Sequence, residues 1–333
     1  MGIINLVSEA LRSKETIFLK ENSDLQDKYD ALEKLNKEYP NNEELLSELY
    51  IVKKGLYGEN EIAYQLKKAN IGMYVLRDIK LRYKDLTAQI DYIIITPVFI
   101  YFVECKNLVG NITVNEKGDF IREFTINGRK IKKGIYSPLR QVEAQREVVR
   151  MIWNEYSNTL QKVFASKNFE YYRRVLVVAA NHDTILNTNK APSDIKYKVL
   201  RADNLIRQIK YEINNRSKND IFDSSKGMES VANTYLKLSV KDTVDYYKYY
   251  KDKFSLDKIN NNSEDLKARL IEFRKKRAYE MNIPPYYVFT NDELDKLLEI
   301  RPDSVEDLVK ANILSPIKIK THGIEIVNEL KKK

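Results

Sequence analysis

The amino-acid sequence predicts a mixed α/β domain, preceded by a helical extension and followed by a small all-helical module. The α/β prediction depends on apolar runs rich in Ile, Val, Tyr and Phe, which are typical of strands and fall at residues 74–81, 90–95 and 99–104. It also depends on the helical spacing of side chains that follows Pro138. The all-helical prediction depends on Leu266, Leu270 and Phe273, which share one helix face after the N-cap candidate Ser263.

The first 54 residues are polar and predict two or three helices. Apolar residues recur there at helical spacing: Leu25, Tyr29, Leu32, Leu35, Leu45, Leu46, Leu49 and Val52. Pro40, with Asn41 and Asn42, interrupts the pattern and marks the start of a new helix. We expect this extension to pack against the following domain, with self-association as the alternative.

The middle of the chain predicts a mixture of helices and strands. A helix over 61–69 precedes the strands, and further strands are predicted at 111–114, 120–126, 175–179 and 197–200. The basic run at 128–133 is predicted to lie in a turn. Residues 210–262 are polar and predict a linker that contains one aromatic-rich helix at 242–254. The predicted domains are therefore 1–54, 55–209, 210–262 and 263–333.

Two apolar strands predict a hairpin that brings two carboxylates together. If the chain turns at Pro97 and Val98, residues whose numbers sum to 195 face each other, and Asp91 lies opposite Glu104. Directly opposed Cβ atoms in an antiparallel pair are roughly 4.5–5.5 Å apart. Because side chains alternate along a strand, Lys106 shares the face of Glu104 and Cys105 points away.

This pair of acids predicts a metal site, because two buried carboxylates are costly unless a cation neutralises them. The alternative is that the hairpin ends reach solvent and the charges form a weak ion pair. His182 and His322 lie far apart in the sequence and have no nearby Cys, which argues against a zinc site. Hard oxygen ligands favour Mg²⁺ or Mn²⁺.

Composition indicates an anionic partner. The formal net charge is +9, and residues 55–263 carry 35 basic against 24 acidic side chains. A basic surface around an acidic pocket suits an enzyme that acts on a polyanion such as nucleic acid. The single cysteine fits a reducing compartment, and we expect a cytoplasmic protein because no membrane span or signal peptide is evident. The oligomeric state stays open.

Three motifs in order resemble a known family. GLYGENEIAYQL at 55–66 precedes the hairpin, and SPLRQVEAQ at 137–145 follows it. In this order they resemble the nuclease-related domain, a branch of the PD-(D/E)XK nuclease superfamily, over roughly 55–209. The resemblance implies a PD-(D/E)XK-like αβββαβ core. It also implies metal ligation by Asp91, Glu104 and the Cys105 carbonyl, and catalytic positions for Lys106, Glu59 and Gln141.

The C-terminal module resembles a second family. A helix that carries Arg274, Lys275, Lys276 and Arg277 precedes IPPYYVF at 283–289, and capped helices are predicted to start after Thr290 and Ser304. The order resembles the helicase-and-RNase-D C-terminal (HRDC) domain over roughly 264–330. That resemblance implies binding of nucleic acid or of a protein partner such as a helicase. Residues 311–315 lack the glycines that the family often carries there.

Together these observations predict a metal-dependent nuclease that hydrolyses phosphodiester bonds, with DNA as the expected substrate. The alternative is a catalytically inactive DNA-binding or scaffolding protein that retains the fold. Candidate nucleic-acid contacts are the two basic runs: Arg129, Lys130, Lys132 and Lys133, and Arg274, Lys275, Lys276 and Arg277. For Lys106 an electrostatic role is favoured over a general base, because nearby carboxylates stabilise its charged form.

Overall fold

The computed structural model describes residues 14–40, 42–126, 128–156, 168–220, 222–241, 243–256 and 263–332. These residues form two compact units. The first unit comprises the described residues up to Ala31 together with Ser47–Val244. The second unit comprises Leu32–Leu46 and Asp245–Lys333. Within the described residues, no helix has the length and apolar character needed to cross a membrane.

The first unit contains two sheets and the helices that cover the larger one. Its strands are β1 (Thr16–Lys20), β2 (Met73–Tyr83), β3 (Leu86–Ile95), β4 (Ile100–Lys106), β5 (Asn111–Val114), β6 (Phe120–Ile126), β7 (Arg129–Ile135), β8 (Arg173–Ala179), β9 (Leu186–Asn187) and β10 (Val199–Arg201). The helices that belong to it wholly or in part are α1 (Asp24–Glu38), α2 (Glu43–Lys67), α3 (Pro138–Tyr156), α4 (Ser193–Lys196), α5 (Leu205–Asn214) and α6 (Ser225–Leu238).

The large sheet has the strand order β1-β2-β3-β4-β8-β10, and the small sheet has the order β7-β6-β5-β9. β2, β3 and β4 form an antiparallel meander, while β8 pairs parallel with β4 and with β10. A parallel pair needs a crossover connection, and α3 lies in the connection between β4 and β8. The order α2, β2, β3, β4, α3, β8 is the αβββαβ core that the first resemblance implies.

Apolar side chains cover both faces of the large sheet, so its strands are nearly continuous in hydrophobic residues. Alternate residues serve opposite faces: Ile93 and Phe102 pack in the cluster that contains α3 and α6 residues. Tyr92 and Val103 pack in the cluster that contains α2 and α5 residues. Ile95 joins Ile93 in the first cluster, so the odd-numbered residues at the hairpin end of β3 lie on the α3 side, while Ala88 and Ile90 belong to the same cluster before Asp91.

The basic run at 128–133 is strand, not turn, which corrects the prediction. β7 pairs with β6 from Ile126↔Arg129 to Phe120↔Ile135. Only Gly128, the first residue of the run, lies in the turn, where it has a φ of +75°. Lysine-rich sequence carries little strand signal, and the pairing with β6 decides the outcome.

The helices predicted for the N-terminal segment are confirmed as α1 and α2, but the prediction missed a strand. The segment Thr16–Lys20 forms β1, which adds a parallel edge strand to β2. The predicted boundary at residue 54 falls inside α2, a single helix over Glu43–Lys67. A five-residue strand at a sheet edge leaves too short a pattern to separate from its helical surroundings.

The described residues between 210 and 256 include a helix, α6, that the predicted linker lacks. α6 buries Met228, Ala232 and Tyr235 in the core beside α3. Ser224 accepts a hydrogen bond from the Gly227 N–H and caps this helix. The predicted aromatic helix is confirmed as Tyr246–Lys253, named α7 below.

The second unit contains α7, α8 (Ser263–Glu280), α9 (Asn291–Ile300), α10 (Val305–Lys310) and α11 (Pro316–Lys331). Its core is a separate apolar cluster that includes Leu270, Phe289 and Ile326. Two of the predicted caps are confirmed, because Thr290 forms a full capping box with Glu293 and Ser304 caps α10, whereas Ser263 is the first residue of α8. Asn312 adopts a φ of +50° in the turn where the family often has glycine.

Candidate active site

The predicted hairpin register is confirmed. Tyr92 pairs with Val103 and Ile95 pairs with Ile100, so paired numbers sum to 195. The hydroxyl of Thr96 accepts from the Phe99 N–H at 3.0 Å and donates to the Phe99 carbonyl at 2.8 Å, which holds the turn. The next position along the ladder places Asp91 beside Glu104, on the face that α3 covers.

Asp91 is anchored to the backbone of β4. Its Oδ2 accepts a hydrogen bond of 2.7 Å from the Cys105 N–H. Because the N–H and C=O of one strand residue point to the same side, the Cys105 carbonyl faces the side of Asp91. The Cys105 thiol packs on the opposite face, as predicted, among residues of the α2 side.

Glu104 lies at the centre of a network that reaches α3. Lys106 Nζ donates to Glu104 Oε1 at 2.6 Å and to Gln141 Oε1 at 3.1 Å. Gln141 Nε2 in turn donates to Glu104 Oε1 at 2.7 Å, and Gln145 Nε2 donates to Glu104 Oε2 at 3.2 Å. Both oxygens of this carboxylate are therefore engaged, and its side chain is only 3% exposed.

Glu59 enters the site from α2 and is held by one oxygen. Its Oε2 accepts from the Ser23 hydroxyl at 2.8 Å and from Arg77 Nε at 2.9 Å. The Tyr92 hydroxyl donates to the Glu59 carbonyl at 2.7 Å. Gly58 allows α2 to lie this close to the strand ends, because a Cβ there would be 2.7 Å from the Cβ of Asn107.

A cleft of about 770 Å³ opens beside these carboxylates. Its lining includes Glu59 and Asp91, together with Gln141 and Gln145, but it does not include Glu104. Among the described residues, no hydrogen bond is made to Asp91 Oδ1 or to Glu59 Oε1. Each of these two carboxylates is thus anchored through one oxygen and has its second oxygen available at the cleft.

The electrostatics of the cleft favour a cation. Burial raises the pKa of Asp91 well above its usual value, and the neighbouring Glu104 carboxylate raises it further. Burial also raises the pKa of Glu59, although Arg77 opposes the rise. Burial raises the pKa of the Cys105 thiol well above normal, which suits a packing role and not a nucleophile.

The donor set fits a hard divalent ion, because carboxylate and carbonyl oxygens are the ligands that Mg²⁺ and Mn²⁺ prefer. The described residues contain no group of three or more His, Cys, Asp or Glu side chains arranged around a common metal position. The available oxygens belong to Asp91 and Glu59, whereas the predicted ligand Glu104 is occupied by Lys106 and two glutamines. The metal-ligand role predicted for Glu104 and the catalytic role predicted for Glu59 both stay predictions.

Three residues of the site were missed from the sequence. Gln145 lies one turn beyond Gln141 on α3, and that i, i+4 spacing was the available signal. Arg77 and Ser23 touch Glu59 across 18 and 36 residues of chain, and no local pattern could have linked them to it.

The candidate nucleic-acid contacts of the first unit lie on β7, which leads into the cleft at Tyr136. Lys132 forms an ion pair of 2.7 Å with Glu123 on β6. Lys133 lies over the Phe124 ring at 5.8 Å, and Arg129 and Lys130 are exposed. Because side chains alternate along β7, these four cations are divided between two faces.

The basic run on α8 is only partly available. Arg274 donates to the Phe289 carbonyl and to Asn291 Oδ1, so it joins α8 to the start of α9. Arg277 forms ion pairs of 3.0 Å with Glu280 and Glu325. Lys275 and Lys276 are exposed.

Comparison with protein families identifies two domains in this chain. The family model described as the nuclease-related domain matches residues 54–179, which include Glu59, Asp91, Glu104, Lys106 and Gln141. The model of the HRDC domain matches residues 263–330. The chain therefore carries a nuclease-related domain followed by an HRDC domain, and both resemblances are confirmed. Searches of curated proteins and of solved structures find no match.

Proposed function

We propose that this protein is a metal-dependent nuclease that hydrolyses phosphodiester bonds, with DNA as its substrate and Mg²⁺ or Mn²⁺ as its cofactor. The observation that carries the proposal is that Asp91 and Glu59 line one cleft, while Gln141 of the same cleft is hydrogen-bonded to the buried Glu104–Lys106 pair. The match to a nuclease-related family supports the same class of chemistry. The basic surplus of the first unit suits a polyanionic substrate.

Asp91 Oδ1 and Glu59 Oε1, with the Cys105 carbonyl, would hold the ion. Their anchored partner oxygens reduce the conformational entropy that each side chain loses on binding. A bound divalent ion would supply an acidified water and would neutralise charge on the phosphate. Glu104 adds a fourth oxygen-bearing group once its contacts with Lys106 and the glutamines rearrange.

Lys106 supplies positive charge beside the reacting phosphate. Its ammonium donates to Glu104 and to Gln141, and these two hydrogen bonds hold it in place. A fixed cation that stabilises negative charge in the transition state fits this arrangement better than a general base. Gln141 accepts from Lys106 and donates to Glu104, so it sets the position of both groups.

The second unit would assist substrate binding. The HRDC family is associated with nucleic-acid binding, and the exposed Lys275 and Lys276 offer phosphate contacts there. A protein partner such as a helicase is the second candidate for this surface.

The proposal is tested by incubating the purified chain with linear, circular and single-stranded DNA and with RNA, in Mg²⁺, Mn²⁺ or EDTA. Cleavage should require the divalent ion. Asp91→Ala and Glu104→Ala should each abolish it without unfolding the protein, and Lys106→Ala should lower the rate by orders of magnitude at saturating substrate. Lys190→Ala, which removes an exposed lysine paired with Glu116, is the matched control and should cleave normally. Full activity in EDTA, or in either acid variant, would refute the assignment.

A further inference from the structure

The β2–β3 ladder is interrupted at the position where Asp78 and Asp91 lie opposite each other. The ladder pairs Arg77 with Tyr92 and then resumes two residues further along in the same register, which leaves the two aspartates outside the pairing. Asp91 is one of the acids that line the cleft, so the interruption falls at the candidate active site.

Side chains change faces at this interruption. In a regular strand, residues that are an odd number of positions apart point to opposite faces. On β2, however, Leu76 and Ile79 both pack in the apolar cluster that contains α3, and on β3 the same holds for Ile90 and Ile93. Each strand therefore carries one extra residue at this point, as the bulged strand of a β-bulge does, but here both strands carry it.

Asp78 has the backbone conformation that permits the change of faces. Its φ is +54°, in the left-handed region, which aspartate tolerates better than most residues but which still costs conformational energy. Its side chain is 7% exposed and accepts hydrogen bonds from the Asp24 N–H at 2.6 Å and from Gln89 Nε2 at 2.9 Å. Asp78 thus ties the first residue of α1 and a side chain of β3 to the interruption.

Lys20, the last residue of β1, holds the interruption from the neighbouring strand. Its ammonium donates to the Arg77 carbonyl at 2.8 Å, to the Asp78 carbonyl at 2.6 Å and to the Asn22 carbonyl at 3.0 Å. Three carbonyls therefore match the three donors of a lysine ammonium. Successive carbonyls of a regular strand point in opposite directions, so one ammonium binds two consecutive carbonyls only where the strand is broken. These hydrogen bonds favour the interrupted strand over a regular one.

We propose that Lys20 is a positioning residue of the active site, which acts by holding the β2–β3 interruption. The interruption places Asp91 where it accepts from the Cys105 N–H at 2.7 Å. It also places Arg77 where its Nε donates to Glu59 at 2.9 Å. Strained backbone persists where the surrounding contacts determine it, and it is frequent at active sites. This inference rests on the proposed nuclease function and adds to the site a residue outside the family match.

The single cysteine of the chain provides a direct measurement, because isotope-labelled cysteine gives one amide signal in an NMR spectrum, that of Cys105. This amide donates to Asp91, so its rate of hydrogen exchange reports the placement of that carboxylate without any need for cleavage. Lys20→Ala should speed the exchange about tenfold, because the hydrogen bond to the carboxylate is weakened. Propylammonium, which replaces the atoms that the substitution removes, should restore slow exchange, whereas tetramethylammonium, which has no N–H, should not. Lys67→Ala is the matched control: it removes an exposed ion pair with Glu21, the neighbour of Lys20, and should exchange at the wild-type rate.

Kinetics connect this placement to the proposed activity. Lys20→Ala should lower kcat roughly tenfold with little change in KM, and propylammonium should restore kcat. Lys20→Met keeps the length of the side chain and removes only the ammonium. It should show the same fast exchange and low kcat, without any response to the added amine.

Wild-type exchange at Cys105 in both Lys20 variants would overturn the inference. A loss in Lys20→Ala that propylammonium does not reverse would also overturn it, because the effect would then be a general loss of structure. The two proposals fail separately: a wild-type chain that cleaves nothing refutes the nuclease function, whereas exchange at Cys105 still measures what Lys20 does.

Discussion

At the scale of single residues, the site depends on carboxylates that are each held by one oxygen. Glu59 is the clearest case, because Ser23 and Arg77 both donate to its Oε2 and leave Oε1 at the cleft. Ser23 is 3% exposed and lies outside the family match, so it is a positioning residue that the N-terminal segment adds to the site. A buried hydrogen bond to a charged group contributes about 1.5–3 kcal/mol.

Ser23→Ala should therefore lower kcat about tenfold while KM changes little, because Glu59 Oε2 loses one of its two hydrogen bonds and keeps only the one from Arg77. Ser23→Thr should restore most of the rate, since it keeps a hydroxyl. Ser225→Ala is the matched control: Ser225 Oγ lies 3.2 Å from the Tyr74 hydroxyl in the same unit, away from the cleft. The measurements are steady-state kinetics and Mn²⁺ affinity by calorimetry. Equal losses in the Ser23 and Ser225 variants, or no rescue by threonine, would show that the effect is only structural.

The raised pKa of Asp91 predicts how the stability of the protein depends on pH. Its pKa in the folded, metal-free protein is raised by burial and by Glu104, whereas in the unfolded chain it is about 3.9. A folded-state pKa above the unfolded value means that the folded state binds more protons between the two values. The stability from this group is therefore present below the unfolded pKa and is lost as pH rises through the folded pKa.

Asp91→Asn should consequently raise the free energy of unfolding of the metal-free protein at pH 7, and should have little effect near pH 3. Asparagine keeps an oxygen that can accept from the Cys105 N–H, so the fold is preserved. Saturating Mg²⁺ should reverse the order, because the wild type gains stability from the ion and the variant gains less. Chemical denaturation at both pH values, with and without metal, gives the measurement. A variant that is less stable than the wild type at pH 7 without metal contradicts the prediction.

At the scale of elements, the strands and helices that were predicted correctly are those with a long, local pattern of apolar residues. The meander β2–β3–β4 and the helix after Pro138 follow from alternation and helical spacing, and the register of the β3–β4 hairpin follows from its turn. β1 and β7 were missed because their sequences carry little strand signal and their pairing partners decide their structure. α6 was missed because polar residues flank it and hide its apolar face.

The same distinction between local and tertiary signals decides which site residues could be predicted. Asp91, Glu104 and Lys106 follow from strand geometry, and Gln141 followed from family resemblance. Ser23 and Arg77 act through contacts that exist only after β1 and α1 have packed beside α2. Contacts between residues 18 and 36 positions apart are set by the tertiary fold, so local periodicity does not indicate them.

The β6–β7 hairpin makes a prediction at the same scale. Lys130 and Lys133 lie on opposite faces of β7, while Lys132 is paired with Glu123. If the hairpin contacts DNA phosphates, Lys130→Gln or Lys133→Gln should flatten the slope of log K against log salt by close to one unit per lost contact. Lys132→Gln should change the slope less, because its charge is already partly neutralised. Equal slopes in all three variants and the wild type would place the substrate elsewhere.

At the scale of the whole molecule, the two apolar cores are independent in sequence. The clusters around the large sheet use described residues no later than Leu238, and the C-terminal cluster uses residues from Leu266 onward. The residues that line the cleft lie between Leu25 and Met151, so all of them precede the segment that separates the two cores. The catalytic chemistry should therefore survive loss of the HRDC domain.

A chain that ends at Asn262 should fold and should retain metal-dependent cleavage with a similar kcat. Its affinity for DNA should fall and its salt slope should flatten by about two units, because Lys275 and Lys276 are the exposed cations of the α8 run, whereas Arg274 and Arg277 are engaged within the module. Lys275→Gln with Lys276→Gln in the full chain should reproduce most of that change, and Lys296→Gln is the control on a neighbouring helix. Anisotropy titrations across a series of salt concentrations give both quantities. If truncation lowers affinity but the double variant does not, the module binds through another surface; if neither changes affinity or slope, it serves a protein partner such as a helicase.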